Sequence, residues 1–193
     1  MKNLEVLFKE KLDKLEKNTP LYLRYHNVHH TKHVLNSVEY IAKSENIEEK
    51  SLTLLKIAVL FHDLGFLIQR DGHEEISCQE AKRDLPAFDL DEDEVEIICG
   101  MIRATKTPQQ PKNHLEMIVA DADLEYLGTD LFELGSKLLF KEMKYFIPLL
   151  TEEEWRLMKI DFLESHHYHT DYCKKNRQPQ KELNLKKLKE GSL

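Results

Sequence analysis

The stretch Ser51–Gly65, "SLTLLKIAVLFHDLG", constrains the fold more than any other part of the chain. Leu55, Ile57, Ala58, Val59, Leu60 and Phe61 leave no polar face, so a helix built from them has to be central and covered on every side. The run then ends on His62-Asp63, two groups that are expensive to bury without compensation. Gly65 suits the turn that follows.

The surrounding sequence supplies the covering helices. Leu4, Leu7, Phe8, Leu12 and Leu15 lie on one helical face, and "NTP" at 18–20 ends that helix. A second helix begins near the histidine cluster at 25–33 and runs through Val34, Val38 and Ile41. "QRDGHEE" is a loop entering another helix, which Pro86 closes. "DLDEDEVEIICGMIRAT" places acids on the first turn of the next helix, where the macrodipole favours them. "KTPQQPKN" is a loop, "HLEMIVADADLEYLG" is helical to Gly128, and Thr151 with Glu154 forms a capping box that opens a late helix.

Six Gly and six Pro in 193 residues leave little room for long irregular stretches, and period-2 alternation is scarce. The expectation is an all-α fold, a single compact bundle of about seven to nine helices. The chain is long enough for one domain with a real core. Within it, residues 25–128 carry the motifs, 130–170 form C-terminal helices, and 174–193 form a basic tail, a solvated helix or a frayed end.

A formal net charge of −7 argues against general nucleic-acid binding. Cys78, Cys99 and Cys173 are scattered, without a CxxC pair, which fits a reducing cytoplasm. The first residues alternate charge with apolar groups, unlike a signal peptide, and no run is long enough to cross a bilayer, so no membrane partner is expected.

Three features carry chemistry. A metal ion would compensate His62-Asp63, since imidazole and carboxylate both ligate divalent cations; a salt-bridged pair at a helix end is the alternative. Asp121 and Asp123 are two apart in an apolar helix, about 200° around it, so only one can face a given site. "YHNVHHTKH" at 25–33 holds four histidines; if it is helical, His26 and His30 share one face, and so do His29 and His33. HExxH, Walker A and GxGxxG motifs are absent, and a single ExxH at 164–167 falls short of a ferritin-like site.

The order His30, His62-Asp63, Asp123 resembles the H…HD…D signature of the HD-domain metal-dependent phosphohydrolases. "FHDLG" and "VADADLEYLG" are similar to stretches of its small bacterial members, and "YHNVHH" to the YHNxxH stretch shared with cyclic-nucleotide phosphodiesterases. The resemblance spans roughly Tyr25 to Gly128. It implies that His30, His62, Asp63 and Asp123 hold one or two divalent ions, Mn, Mg, Fe, Co or Zn, with Asp63 able to bridge two of them. It places His26 beside the leaving-group oxygen and leaves Asp121 behind the ligands. "GHEEIS" resembles the segment whose His or Glu reaches a second metal or the bridging water, which marks His73 and Glu74; plain helix capping is the alternative.

"IRATKTP" resembles the phosphodiesterase "AT" region after the site, where Arg103 and Lys106 could meet a substrate phosphate or simply be solvated. His29 and His33 match no ligand, and the cluster His166, His167, Tyr168 and His169 is a possible pocket closure. The implied activity is hydrolysis of a phosphate mono- or diester, of a nucleotide or other small molecule, by attack of activated water. A di-iron oxygenase and a non-catalytic nucleotide-binding module are the competing readings.

Overall fold

In the computed structural model, which describes residues 3–191, the apolar run forms α3 (Glu49–Phe61), and Leu54, Leu55 and Ile57–Phe61 are all buried. Around it pack α1 (Leu4–Asn18), α2 (Val28–Ser44), α4 (His73–Asp84), α5 (Glu92–Ala104) and α6 (His114–Asp123). The amphipathic stripe of α2 contributes Val34, Val38 and Ile41, and that of α5 contributes Val95, Ile98, Met101 and Ile102. Fully buried side chains such as Phe61 and Leu55 stabilise by about 1.5–3 kcal/mol each relative to exposure. Capping holds the ends of these helices: Asp91 and Glu94 make a reciprocal capping box on α5.

A second, smaller core lies beyond the end of α6. It is built from Leu124, Tyr126 and Leu127 with Phe132, Leu163 and Leu188. The helices behind it are α7 (Phe132–Phe146), α8 (Glu152–Ser165), α9 (Asp171–Asn176) and α10 (Gln178–Lys189). Short 3₁₀ turns occupy Leu64–Leu67, Leu85–Phe88 and Glu125–Gly128. Among the described residues there are thus ten α-helices and no strand, with α9 only six residues long. The predicted capping box at Thr151 and Glu154 opens α8.

Two local expectations are sharpened. Residues 174–191 are helical with exposed lysines, as the solvated-helix reading has it, but one face is docked: Leu188, Asn184 and Lys181 are buried, and Asn184 Nδ2 donates to Leu127 O at 2.9 Å. The Arg177 guanidinium is paired with buried Glu125, so part of the positive charge counted there is internal. His26 is not on a helix. Asn27 is extended (φ −148°, ψ −178°) and its side chain accepts from His29 N at 2.9 Å, so α2 starts one residue after it. Gly65 is required by proximity, because an added Cβ would lie 2.0 Å from His73 O, where α4 begins.

Candidate metal centre

The two cores meet where Ala122 belongs to the first and Leu124 to the second, and Asp123 lies between them. His30 reaches the same place from the first turn of α2, and His62-Asp63 from the end of α3. Each imidazole orients for a physical reason. His62 closes α3, and its Nδ1 donates to Val59 O at 2.7 Å, which turns the Nε2 lone pair toward the other side chains. Ser77 on α4 fixes that turn: its hydroxyl donates to His62 O at 2.7 Å and accepts from Gly65 N at 2.9 Å.

Four side chains bring donor atoms together. His30 Nε2 lies 3.0 Å from Asp123 Oδ1, 3.3 Å from His62 Nε2 and 3.4 Å from Asp63 Oδ2. His62 Nε2 lies 3.2 Å from Asp63 Oδ2 and 3.6 Å from Asp123 Oδ1. Nitrogen and oxygen ligands about 2.0–2.2 Å from one centre are separated from each other by about 2.8–3.6 Å at angles near 90–110°. The observed separations match that pattern. Asp63 Oδ2 is also buried without a hydrogen-bond donor, a deficit that a cation would remove. The residues therefore fit a divalent ion, and His30, His62 and Asp123 each offer one ligand atom within 4.8 Å of the others.

Charge is concentrated here. Burial alone would raise the pKa of Asp63, yet the imidazoles of His62, His26 and His30 hold its carboxyl well below the usual range. Asp123 is likewise held low by His30 and His62 against its burial. Burial would lower the pKa of His62, but Asp63 and Asp123 outweigh it and push His62 well up.

Beside the centre, His26 stacks on Phe66, with ring centroids 4.1 Å apart, and binds Glu142 through Nδ1 at 2.5 Å. Glu142, buried on α7, also accepts from Tyr25 N at 2.9 Å and His26 N at 3.1 Å. Burial disfavours the His26 cation, but Glu142, then Asp63, outweigh it and the net shift is upward. Since a carboxylate only accepts, Nδ1 carries a proton and Nε2 is the ring nitrogen left for other chemistry. Glu142 and Ser77 are the site residues that sequence reasoning missed. "GHEEIS" contained Ser77 but directed attention to His73 and Glu74, and nothing local to "FKEMKYF" marks Glu142.

His73, at the start of α4, donates from Nδ1 to Arg70 O at 2.9 Å, and its Nε2 stands 3.6 Å from Asp63 Oδ1 and 3.8 Å from Glu74 Oε1. Asp63 thus has one oxygen toward His30 and His62 and the other toward His73. A cavity of about 430 Å³ opens over this face, and His26, Asp63, His73, Glu74, Lys106 and Asp123 line it.

Other candidates fall elsewhere. Arg103 is engaged in a two-point fork with Glu75 (2.8 and 2.9 Å) and does not line the cavity, so the expected phosphate contact is corrected. Asp121 points away from the centre, as the 200° offset requires. It accepts from His169 N, Thr170 N and Thr170 Oγ1 at 2.6–3.1 Å and ties α6 to the start of α9, so it is not a second-metal ligand. His29 is exposed, and His33 Nε2 sits 3.4 Å from Glu125. His166, His167 and His169 line a neighbouring cleft and not the metal cavity, and Tyr168 donates to the carbonyls of Leu124 and Glu125. Burial and then Lys181 push His166 down to about 3, so it is neutral at ordinary pH.

An all-α bundle with two histidines and two aspartates converging from three helices defines the class of this protein. The family model for the HD domain matches residues 27–125, and the chain belongs to that family. Its fold is similar to three solved structures. One is a predicted HD superfamily hydrolase from an uncultured Thermotogales bacterium (TM-score 0.54, 22% identity, 72% of this chain and 87% of that one). Another is Bacillus subtilis YpgQ in complex with ADP (TM-score 0.64, 18% identity, 95% and 94%). The third is a protein of Lactobacillus plantarum (TM-score 0.63, 16% identity, 97% of each chain). No curated protein matches the sequence.

Proposed function

We propose that this chain is a metal-dependent phosphohydrolase that cleaves a phosphate mono- or diester of a small molecule. The observation that carries the reading is the approach of one oxygen each of Asp63 and Asp123 to the Nε2 atoms of His30 and His62, at 3.0–3.6 Å, with Asp63 Oδ2 otherwise unbonded and both carboxylates at the wall of a cavity. A divalent ion held there would supply a nucleophilic water at neutral pH and neutralise charge on the phosphoryl group. The residues around it divide the remaining work. His26, with its proton donor role set by Glu142, protonates the departing oxygen. Lys106 at the cavity edge meets phosphate charge. His73, with Glu74 behind it, faces the second oxygen of Asp63 and favours a second ion bridged by that carboxylate.

Metals that suit this N/O set are Mn, Mg, Fe, Co and Zn. ADP, the ligand of the Bacillus subtilis neighbour, makes nucleotides reasonable first probes. A cytoplasmic location is part of this reading, supported by three free, buried cysteines and by the absence, among the described residues, of a helix long and apolar enough to cross a membrane. The test is Asp63→Ala, expected to fold, to carry little metal and to release no phosphate; a variant as active as the parent refutes the assignment. The His73–Asp63 approach also suits a di-iron oxygenase, for which iron content with dioxygen uptake and no phosphate release is the signature. Tight nucleotide binding without turnover under any metal would indicate a binding module instead.

A further inference from the structure

The cavity over the metal centre has two unlike walls. The elements around α3 contribute the charged wall, with His26, Asp63, His73 and Asp123. The second wall comes from α7 and α8, and it is apolar: Phe132, Leu139, Met143, Trp155, Met158 and Phe162 all line the same space. Only Ser136 and Lys159 add polar groups from these two helices. Ser136 Oγ already accepts from Trp155 Nε1 at 3.3 Å, which satisfies the indole N–H and leaves the Ser136 hydroxyl as the one neutral donor on this wall. Lys159 is half-buried and brings a four-carbon stem to the wall as well as its amine.

We infer that the substrate is a phosphate ester of an apolar alcohol, its phosphate at the His30–His62–Asp63–Asp123 centre and its hydrocarbon body against the α7–α8 wall. The inference rests on the phosphohydrolase reading and adds a substrate class to it. A ligand rich in hydrogen-bonding edges would lose water on entering and find few partners on this side, a net cost. An alkyl or aryl group gains there, because it replaces water against apolar side chains. The volume, about 430 Å³, lies in the range of small-molecule sites. The cavity is continuous with the metal ligands Asp63 and Asp123, so one molecule can occupy both walls.

The experiment measures binding to metal-loaded protein by calorimetry, with methyl, butyl and hexyl phosphate, hexanol and adenosine monophosphate as probes. Each added methylene is expected to tighten binding by about three- to fourfold. Met143→Gln and Met158→Gln, at partly exposed positions that should tolerate the change, are expected to cut the hexyl-over-methyl gain at least threefold and leave methyl phosphate binding unchanged. The inference is overturned if hexyl phosphate binds no tighter than methyl phosphate, if adenosine monophosphate outcompetes hexyl phosphate, or if both glutamine variants keep the full gain. Metal-dependent methyl phosphate binding without chain-length dependence defeats this inference alone. Hexyl phosphate and hexanol binding equally well, with or without metal, would instead defeat the phosphohydrolase reading and leave the apolar chamber standing.

Discussion

Glu142→Gln isolates the one part of the site that no motif announces. Glu142 accepts three bonds, from Tyr25 N, His26 N and His26 Nδ1, and its charge is a main reason that the pKa of His26 is raised against burial. Glutamine keeps the size and one accepting oxygen, so the two backbone bonds can persist, but the charged partner of His26 is lost. A hydrogen bond to a charged group is worth about 1.5–3 kcal/mol and a neutral one about 1, so the exchange costs about 1–1.5 kcal/mol. If that energy holds His26 as the acid, kcat on an alkyl phosphate falls about tenfold. The direction with pH is fixed as well: an acid must be protonated, so activity declines as pH rises through the His26 pKa. Removing Glu142 lowers that pKa and moves the decline to lower pH. The assay is a pH–rate profile of parent and variant on hexyl phosphate and on p-nitrophenyl phosphate, whose leaving group needs no proton. A large loss on the first with little on the second is expected. Equal losses on both substrates, or an unmoved alkaline limb, would refute the proton-donor role.

The two aspartates of "DAD" should separate cleanly. Asp123→Ala is expected to abolish tight metal binding in a folded protein. Asp121→Ala is expected to keep the metal but lower stability by about 2–3 kcal/mol, because it strands the buried N–H groups of His169 and Thr170, and paired elemental analysis and thermal melts check both. Gly65→Ala should destabilise strongly and disturb His73, since the added Cβ meets His73 O at 2.0 Å; a melt within a degree or two of the parent would contradict that contact. Acid stability follows from α1 and α4, where Lys11 and Asp84 pair at 2.5 Å and Lys14 pairs with Glu80. The Arg83 hydrogen bond lowers Glu80; burial would raise Asp84, but Arg83 and Lys11 lower it on balance. Their contribution is present above the ordinary carboxylate range, about pH 4–4.5, and is lost as pH falls through the folded-state values. Denaturant titrations between pH 6 and 3 should show that loss, and Lys11→Met should flatten it.

What could be read from the sequence was whatever depends on neighbours along the chain. The apolar run of α3 reports its own burial, the acids after Asp91 and Thr151 report helix starts, and the 200° offset of Asp121 and Asp123 shows that they must part company. The family signature then placed His30, His62, Asp63 and Asp123 in order, and the fold brings them together. What the sequence concealed depends on tertiary approach. Glu142 lies 116 residues from His26 on a helix whose pattern is ordinary. Arg103 sits in a stretch resembling a phosphate-contact region, yet Glu75, one turn along a neighbouring helix, reaches it first. His26 looked helical by spacing because the capping conformation of Asn27 is invisible to periodicity. The C-terminal positive charge looked solvated because Glu125, which neutralises Arg177, is half the motif-bearing core away in sequence.

Every proposed step depends on a divalent ion held by His30, His62, Asp63 and Asp123. Anomalous diffraction from crystals grown with Mn tests it most directly. A peak is expected about 2.0–2.3 Å from His30 Nε2, His62 Nε2, Asp63 Oδ2 and Asp123 Oδ1 together. No peak there at saturating Mn, or a peak at some other cluster with these four side chains bound only to one another, would contradict it.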